Sequence, residues 1–212
     1  LKENYGYTEE QIAILKAYDG TALVNNPQLR AVMGSMSCSA SKQYAGTDSL
    51  KIMFRWDWVS APVGANPNIT DCIAVRWAGT DTGGSPLNLA LNSSNCMVNH
   101  YSRNGNSVKT YDTKVQVNDP YSAVYVPIQM SYNKDANGWI WAKNGYITIR
   151  VSATGSKAIK EGAFVFAYGH RTVVGSPSIS LPAGFSISFN TTTSKILEKA
   201  VRMSNSGKIT NY

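Results

Sequence analysis

The sequence contains little charge for its length. Of its 212 residues, 16% are Asp, Glu, Lys or Arg, whereas charged residues make up about 25% of an average globular domain. No stretch is rich enough in Ala, Leu, Glu and Lys to indicate a helical bundle or a coiled coil. No apolar run approaches the ~20 residues that a transmembrane helix needs. We therefore predict neither a helical protein nor a membrane span.

Residues that build metal and redox centres are also scarce. The chain has three cysteines and two histidines. No two cysteines form a C-x-x-C pair, and no histidine lies at ligand spacing from any of them. Zinc and cluster sites need several such ligands at short, regular spacings. We predict no metal site and no cofactor.

Carboxylates suited to acid–base catalysis are few. None of the five glutamates falls on a predicted strand: Glu3, Glu9, Glu10, Glu161 and Glu198. A glycosidase needs two carboxyl groups that project into one cleft. The sequence therefore favours a protein that is not an enzyme. A glycan-active hydrolase with an unusual carboxylate arrangement, built on Asp57, Asp71 or His100, is an alternative.

The three cysteines allow one disulfide and one free thiol. We prefer a Cys72–Cys96 bridge, because Cys38 lies in the small, polar run 35–41. The alternative is three unpaired thiols that pack as small apolar side chains.

Hydroxyl and amide side chains are abundant, in contrast to the charged ones. Ser, Thr and Asn together account for 56 residues. This composition favours an exported protein, so we expect an extracellular or cell-surface location.

The net charge is +7 and the pI is about 9.3, but the basic residues are dispersed. A diffuse positive field attracts anionic polymers without base specificity, and we expect no sequence-specific nucleic-acid binding.

Alternation of apolar and polar residues indicates β-strands. Within Leu50 to Trp58, every second residue is large and apolar, which predicts a strand with one buried face that includes Trp56 and Trp58. Similar runs span 73–77, 87–91, 108–117, 122–132, 138–142, 146–153, 163–169 and 183–190. The pairs Asn104-Gly105, Asn137-Gly138 and Asn144-Gly145 predict hairpin turns. We predict an all-β fold that is mainly an antiparallel β-sandwich, with the jelly-roll as one form that it could take.

Two segments have helical periodicity. The run Thr8 to Gln11 fits a capping box and precedes apolar residues at helical spacing up to Gly20. Residues Ser194 to Met203 place four apolar side chains on one helical face. We predict short N- and C-terminal helices on a single domain, 1–212. It would comprise an N-terminal helical or loop extension (1–49), a β core (50–190), and a C-terminal helix and tail (191–212).

One run resembles the start of a calcium loop. Asn133, Asp135 and Asn137 alternate before Gly138, as oxygen ligands do in an EF-hand. The twelfth position is Asn144 instead of the required Glu, and strand-like sequence lies on both sides. A hairpin is the better interpretation.

Aromatic residues provide the candidate binding site. Trp139 and Trp141 lie two residues apart on a predicted strand, so their indoles share one face, with Tyr132 and Tyr146 nearby. Exposed indoles offer a platform for sugar rings, although large aromatics more often belong to a core. The sequence favours a non-catalytic surface protein that binds a polysaccharide or cell-envelope polymer. The alternative is a self-assembling homo-oligomeric subunit of a filament, surface layer or coat.

Overall fold

A computed structural model describes most of the chain. It covers residues 9, 13, 36–59, 70–102, 105–135, 138–171, 177–182, 185–190 and 193–211. The predicted N-terminal helix lies almost entirely outside these residues. Within them, no helix is long and apolar enough to cross a membrane.

The described residues form fifteen β-strands. In chain order these are β1 (Met36–Ala45), β2 (Ser49–Trp58), β3 (Thr70–Asp81), β4 (Pro86–Leu87), β5 (Leu89–Ser102), β6 (Ser107–Asp112), β7 (Gln116–Asp119), β8 (Ala123–Gln129), β9 (Ser131–Asp135), β10 (Gly138–Ala153), β11 (Ile159–Arg171), β12 (Ile179–Ser180), β13 (Ser188–Phe189), β14 (Thr193–Ser204) and β15 (Ile209–Asn211).

The strands build two main antiparallel sheets that pack face to face. The front sheet has the order β1-β2-β10-β5-β6, with β9 also paired to β10. The back sheet has the order β15-β14-β11-β3-β8-β7, with β4 paired to β3. This architecture confirms the predicted β-sandwich.

The core lies between the two sheets. Alternate residues of β2, from Leu50 to Trp58, are fully buried, as the period of two requires. Phe54 stacks on Phe166 of the back sheet with ring centroids 5.5 Å apart. Large aromatic rings from both sheets therefore join the layers and account for much of the apolar area buried on folding.

A third layer covers the outer face of the back sheet. Phe185, Ile187 and Phe189 belong to a segment that carries the short β12–β13 sheet, and they pack near Val165 and Ala167 of β11. The predicted alternation in 183–190 therefore belongs to a covering segment, and among its described residues, 185–190, only Ser188–Phe189 is a strand.

Strand pairing confirms two of the three predicted hairpins, β5–β6 and β9–β10. Gly105 has a φ of +81° between β5 and β6, and Gly138 pairs with Asp135 in the β9–β10 hairpin. Asp135 and Gly138, which also fitted the start of a calcium loop, therefore belong to a hairpin. Asn144-Gly145 is not a turn, because it lies inside β10 just after a β-bulge.

The C-terminal helix prediction is wrong. Residues Ser194 to Met203 lie in β14, which pairs with β11 and, further along, with β15. Val201 and Met203 are buried in the core. A short amphipathic segment has little helical stability alone, and ladder pairing with β11 decides its structure instead.

The predicted N-terminal extension (1–49) and C-terminal helix and tail (191–212) are not separate from the β core, because strand pairing joins parts of both to the sheets. Strand β1 belongs to the front sheet, although the polar run 35–41 gave no strand signal. At the other end, β14 and β15 belong to the back sheet. Both segments are parts of the sandwich.

The cysteines are free thiols, so the predicted Cys72–Cys96 bridge is absent. Cys72 lies on β3 and alternates with the core residues Ile73 and Val75, so it faces away from the front sheet. Cys96 belongs to the front sheet and faces the core. Packed sheets are about 10 Å apart, whereas a disulfide needs Cα atoms within about 7 Å. Cys72 and Cys96 are therefore too far apart to form a bridge. Burial raises the pKa of each thiol to about 12.

Candidate functional site

The outer side of the front sheet is a broad polar surface, which we call the front face. Its side chains alternate with the core residues of the same strands, so they point away from the back sheet. Strand register aligns them in four rows that cross β1, β2, β10 and β5, and the first two rows reach β6. In the order β1, β2, β10, β5 and β6, the rows are Ser37–Asp57–Asn144–Asn99–Thr110, Ser39–Arg55–Tyr146–Met97–Asp112, Ser41–Met53–Thr148–Asn95 and Tyr44–Lys51–Arg150–Ser93.

The first row is internally paired. Asn99 Nδ2 donates to Asn144 Oδ1 at 2.8 Å, and Thr110 Oγ1 donates to Asn99 Oδ1 at 2.8 Å. Asp57 forms an ion pair with Lys143, whose ammonium also donates to the backbone oxygen of Trp58 at 2.8 Å. This end of the front face has its polar groups satisfied within the protein.

The fourth row is cationic. Lys51 and Arg150 lie directly opposite each other on neighbouring strands. The Arg150 guanidinium lies over the Tyr44 ring, 5.0 Å from its centroid, and its Nη2 donates to Ser49 Oγ at 3.0 Å. The ring and the hydroxyl hold Arg150 in place without neutralising its charge.

A shallow depression lies between the second and fourth rows. Its volume is about 340 Å³, and Lys51, Met53, Asn95, Tyr146 and Thr148 contribute to its lining. None of the described residues that line it is a carboxylate. The polar groups in its lining are hydroxyls, amides, one ammonium group and one phenol, and such groups suit a polar ligand.

The structure separates the predicted site residues. Tyr146 is half-buried on the front face, between Arg55 and Met97. Trp141 is half-buried and packs against the core. The side chains of Tyr132 and Trp139 lie outside the described residues, so the proposed indole pair stays a prediction. Trp56 and Trp58 are core residues, as expected.

A second group of functional residue types is fully enclosed at one end of the sandwich. Asp71 accepts hydrogen bonds from His170 Nδ1 at 2.9 Å, from Tyr168 OH at 2.9 Å and from the backbone N–H of Arg171 at 3.0 Å. Trp58 Nε1 donates to Tyr168 OH at 3.4 Å. Burial, followed by the adjacent Asp71, raises the pKa of Tyr168 well above its usual value. A substrate has no access to groups this deeply buried, so we assign this cluster to stability.

His100 lines a different depression, of about 310 Å³, with Tyr111, Asp112 and Lys114. Its Nε2 donates to the backbone oxygen of Gln129 at 3.0 Å, and its ring meets Tyr111 edge to face. Burial lowers the pKa of His100 below its usual value. A neutral, packed imidazole with a carbonyl partner has a structural role.

The described carboxylates do not form a catalytic pair. Glu161 and Glu198 lie on strands, contrary to the sequence prediction, and each contacts a basic side chain: Arg202 at 3.6 Å and Lys195 at 2.7 Å, respectively. Four surface depressions are lined by described residues, the two above and two smaller ones, and none of them has more than one carboxylate among those residues. The cleft that would support the hydrolase alternative is not found among these residues.

Sequence reasoning missed the cationic row. Lys51 and Arg55 are visible in the sequence as outward residues of β2, but Arg150 lies about a hundred positions away. Only strand pairing places Arg150 beside Lys51. Strand β1 gave no signal in the sequence, because Ser37, Ser39 and Ser41 alternate with the small residues Cys38 and Ala40.

Comparisons with known proteins identify no relative. No known protein family matches the sequence, and no curated protein is similar to it. A collagen-binding domain from a Staphylococcus aureus adhesin is 11% identical over 78% of this chain and 95% of its own, with a TM-score of 0.30. A pore-forming protein is 10% identical over 84% and 94%, with a TM-score of 0.34. AvmM, which catalyses macrocyclization in alchivemycin A biosynthesis, is 6% identical over 76% and 87%, with a TM-score of 0.30. Likenesses this weak assign neither a family nor an activity to the chain.

Proposed function

We propose that this chain is an exported, non-catalytic binding protein that attaches to a glycan polymer through its front face. The observation that carries the proposal is the alignment of hydroxyl, amide and aromatic side chains in rows across neighbouring strands. An extended polymer needs an extended surface, and an antiparallel sheet with one free face provides it.

Tyr146 is the central residue of the proposed site. It lies opposite Arg55 on one side and Met97 on the other, and it borders the depression that Asn95 and Thr148 also line. A phenol ring contacts the C–H face of a sugar through its apolar surface, while its hydroxyl and nearby amides bond to sugar hydroxyls. The predicted Trp139–Trp141 platform would extend this surface along β10.

Binding to glycan polymers tests the proposal. Affinity electrophoresis through gels that contain soluble polysaccharides, together with pull-down on insoluble ones, would measure retention of the full chain. We expect Tyr146→Ala to weaken retention by about tenfold, the loss of roughly one aromatic contact. Tyr121→Ala is the matched control, because Tyr121 is exposed in the back sheet's β7–β8 turn. Absence of binding to every polymer, or equal effects of both substitutions, would contradict the proposal.

Self-assembly is a second candidate function, favoured by the sheet edges. Among the described strands, β6 in the front sheet and β7 in the back sheet each pair on one side only. Open strand edges pair readily with strands of another molecule. Light scattering over a concentration series, with and without reductant, would detect such assembly. A monomer at every concentration would eliminate this candidate and leave glycan binding unaffected.

A further inference from the structure

We infer that the front face selects an acidic polysaccharide, whose carboxylates bind at Lys51, Arg150 and Arg55. This inference rests on the proposed function and adds the chemical class of the polymer to it. Its first support is the cross-strand pair of Lys51 and Arg150. Like charges directly opposite each other on neighbouring strands are destabilising. A ligand that places negative charge between Lys51 and Arg150 would therefore relieve their repulsion.

The acids near these cations do not neutralise them. On the front face, Asp57 is bound to Lys143, and Asp112 lies at the outer edge on β6, where it accepts from Asn95 Nδ2 at 3.2 Å. Asp48 accepts from Ser49 Oγ at 3.3 Å and from Tyr44 OH at 3.4 Å, so it contacts the two side chains that hold Arg150 and forms no ion pair with Arg150 itself. Among the described residues, neither Lys51 nor Arg150 forms an ion pair. Two half-buried cations therefore lie side by side on neighbouring strands without an acidic partner among the described residues.

Arg55 extends the positive charge along β2. It is exposed, it has no described acidic partner, and it lies opposite Tyr146. Arg55 follows Lys51 by four positions along β2, which is a distance of about 13 Å. The second and fourth rows thus place cations on both sides of the depression, with Tyr146 and Thr148 between them. A polymer that lies across the rows meets a cation at each end and polar contacts between.

The neighbouring side chains favour a sugar polymer over other polyanions. The free cations alternate with hydroxyl and amide groups such as Ser93, Asn95 and Thr148, which match sugar hydroxyls. A nucleic-acid site has a denser cluster of basic residues that track phosphates. A membrane-binding face carries large apolar side chains at its surface. Of the four large apolar residues that are exposed in the described part of the chain, Val59, Val117 and Tyr121 lie away from these rows, and Tyr44 lies under the Arg150 guanidinium.

The experiment compares one polymer in two charge states. Binding of the full chain to polygalacturonate and to fully methyl-esterified polygalacturonate would be measured by isothermal titration calorimetry, in about 50 mM and about 500 mM NaCl. We expect the acidic form to bind at least about tenfold more tightly, because each carboxylate contributes charge-assisted hydrogen bonds. High salt should abolish this preference.

Charge-removing variants locate the site. Lys51→Gln and Arg55→Gln should each weaken binding to polygalacturonate about fivefold, and they should leave binding to the ester unchanged. The matched control is Lys160→Gln, which removes one charge from an exposed position of the back sheet. Tyr146→Ala should weaken binding to both polymers alike.

Each other outcome overturns the inference in a distinct way. Equal binding of both polymers contradicts acidic selectivity and leaves the proposed glycan function standing. No binding of either polymer contradicts the inference, and it contradicts the proposed glycan function only if every other polymer tested also fails to bind. Tighter binding to single-stranded DNA or to phosphatidylserine vesicles than to polygalacturonate replaces the inferred ligand with a nucleic acid or a membrane. An equal loss in Lys160→Gln shows that net charge alone is responsible.

Discussion

Asp71 and His170 meet in the interior of the sandwich, with His170 Nδ1 2.9 Å from both carboxylate oxygens and both side chains fully buried. Asp71 lies near the start of β3 and His170 near the end of β11, so their contact joins neighbouring strands of the back sheet. Trp58 of the front sheet packs edge to face on the His170 ring at 5.9 Å. The contact therefore fixes one end of both layers.

The first prediction concerns this buried contact. Asp71→Asn places an amide where three donors converge, so it loses hydrogen bonds and leaves donors unpaired. We expect the free energy of unfolding to fall by about 3 kcal/mol, measured by urea denaturation. Asp57→Asn is the matched control, since its partly exposed ion pair with Lys143 should contribute about 1 kcal/mol or less. Equal losses in the two variants would show that burial does not strengthen the Asp71 contacts.

The second prediction concerns pH. Burial lowers the pKa of His100 below its usual value of 6.5, so the unfolded chain binds a proton at higher pH than the folded chain does. Stability from this residue is present above pH 6.5 and is lost as the pH falls toward the folded pKa.

The comparison of wild type with His100→Gln measures this effect. Urea unfolding between about pH 7.5 and about pH 5.5 should show a smaller loss of stability in the variant. His170 is present in both proteins, so its own titration contributes to both curves. Parallel curves would mean that His100 has the same pKa in the folded and unfolded chains.

The third prediction concerns the thiols. Burial raises the pKa of Cys38, Cys72 and Cys96 to about 12, so almost no thiolate is present near neutral pH. The folded protein should not react with Ellman's reagent at about pH 8. The same sample in denaturant should release the signal of all three cysteines. A signal of one thiol in denaturant would instead reveal a disulfide.

The fourth prediction concerns close packing at Gly145. A Cβ atom at this position would collide with the backbone oxygen of Met97 and would lie 2.8 Å from the Trp56 ring. We expect Gly145→Ala to lower the free energy of unfolding by about 3 kcal/mol, as overpacked cores do. Gly105→Ala is the control. Gly105 has a positive φ but open space around it, so only the backbone strain of about 1 kcal/mol applies. Similar losses would indicate that β10 shifts to accommodate the methyl group.

Local sequence pattern was sufficient where a strand buried an unbroken stripe of large apolar side chains on one face. The Leu50–Trp58 stripe predicted β2 and its core residues, because alternation within a strand requires no knowledge of its partners. The Asn104-Gly105 turn was equally local. The pattern failed at Asn144-Gly145, where the glycine serves packing against Trp56 and Met97 instead of a turn. It also failed at 194–203, where pairing with β11 overrides a helical periodicity.

The sequence by itself therefore determined the β class, the core stripe of β2 and a surface hydrated mainly by hydroxyl and amide groups. The tertiary structure alone decided which distant residues became neighbours. It brought Lys51 beside Arg150, enclosed Asp71 with His170, and placed Cys72 and Cys96 on faces that cannot meet. The physical reason is that side-chain alternation is a property of one strand, whereas register and sheet order depend on pairing between strands far apart in the chain.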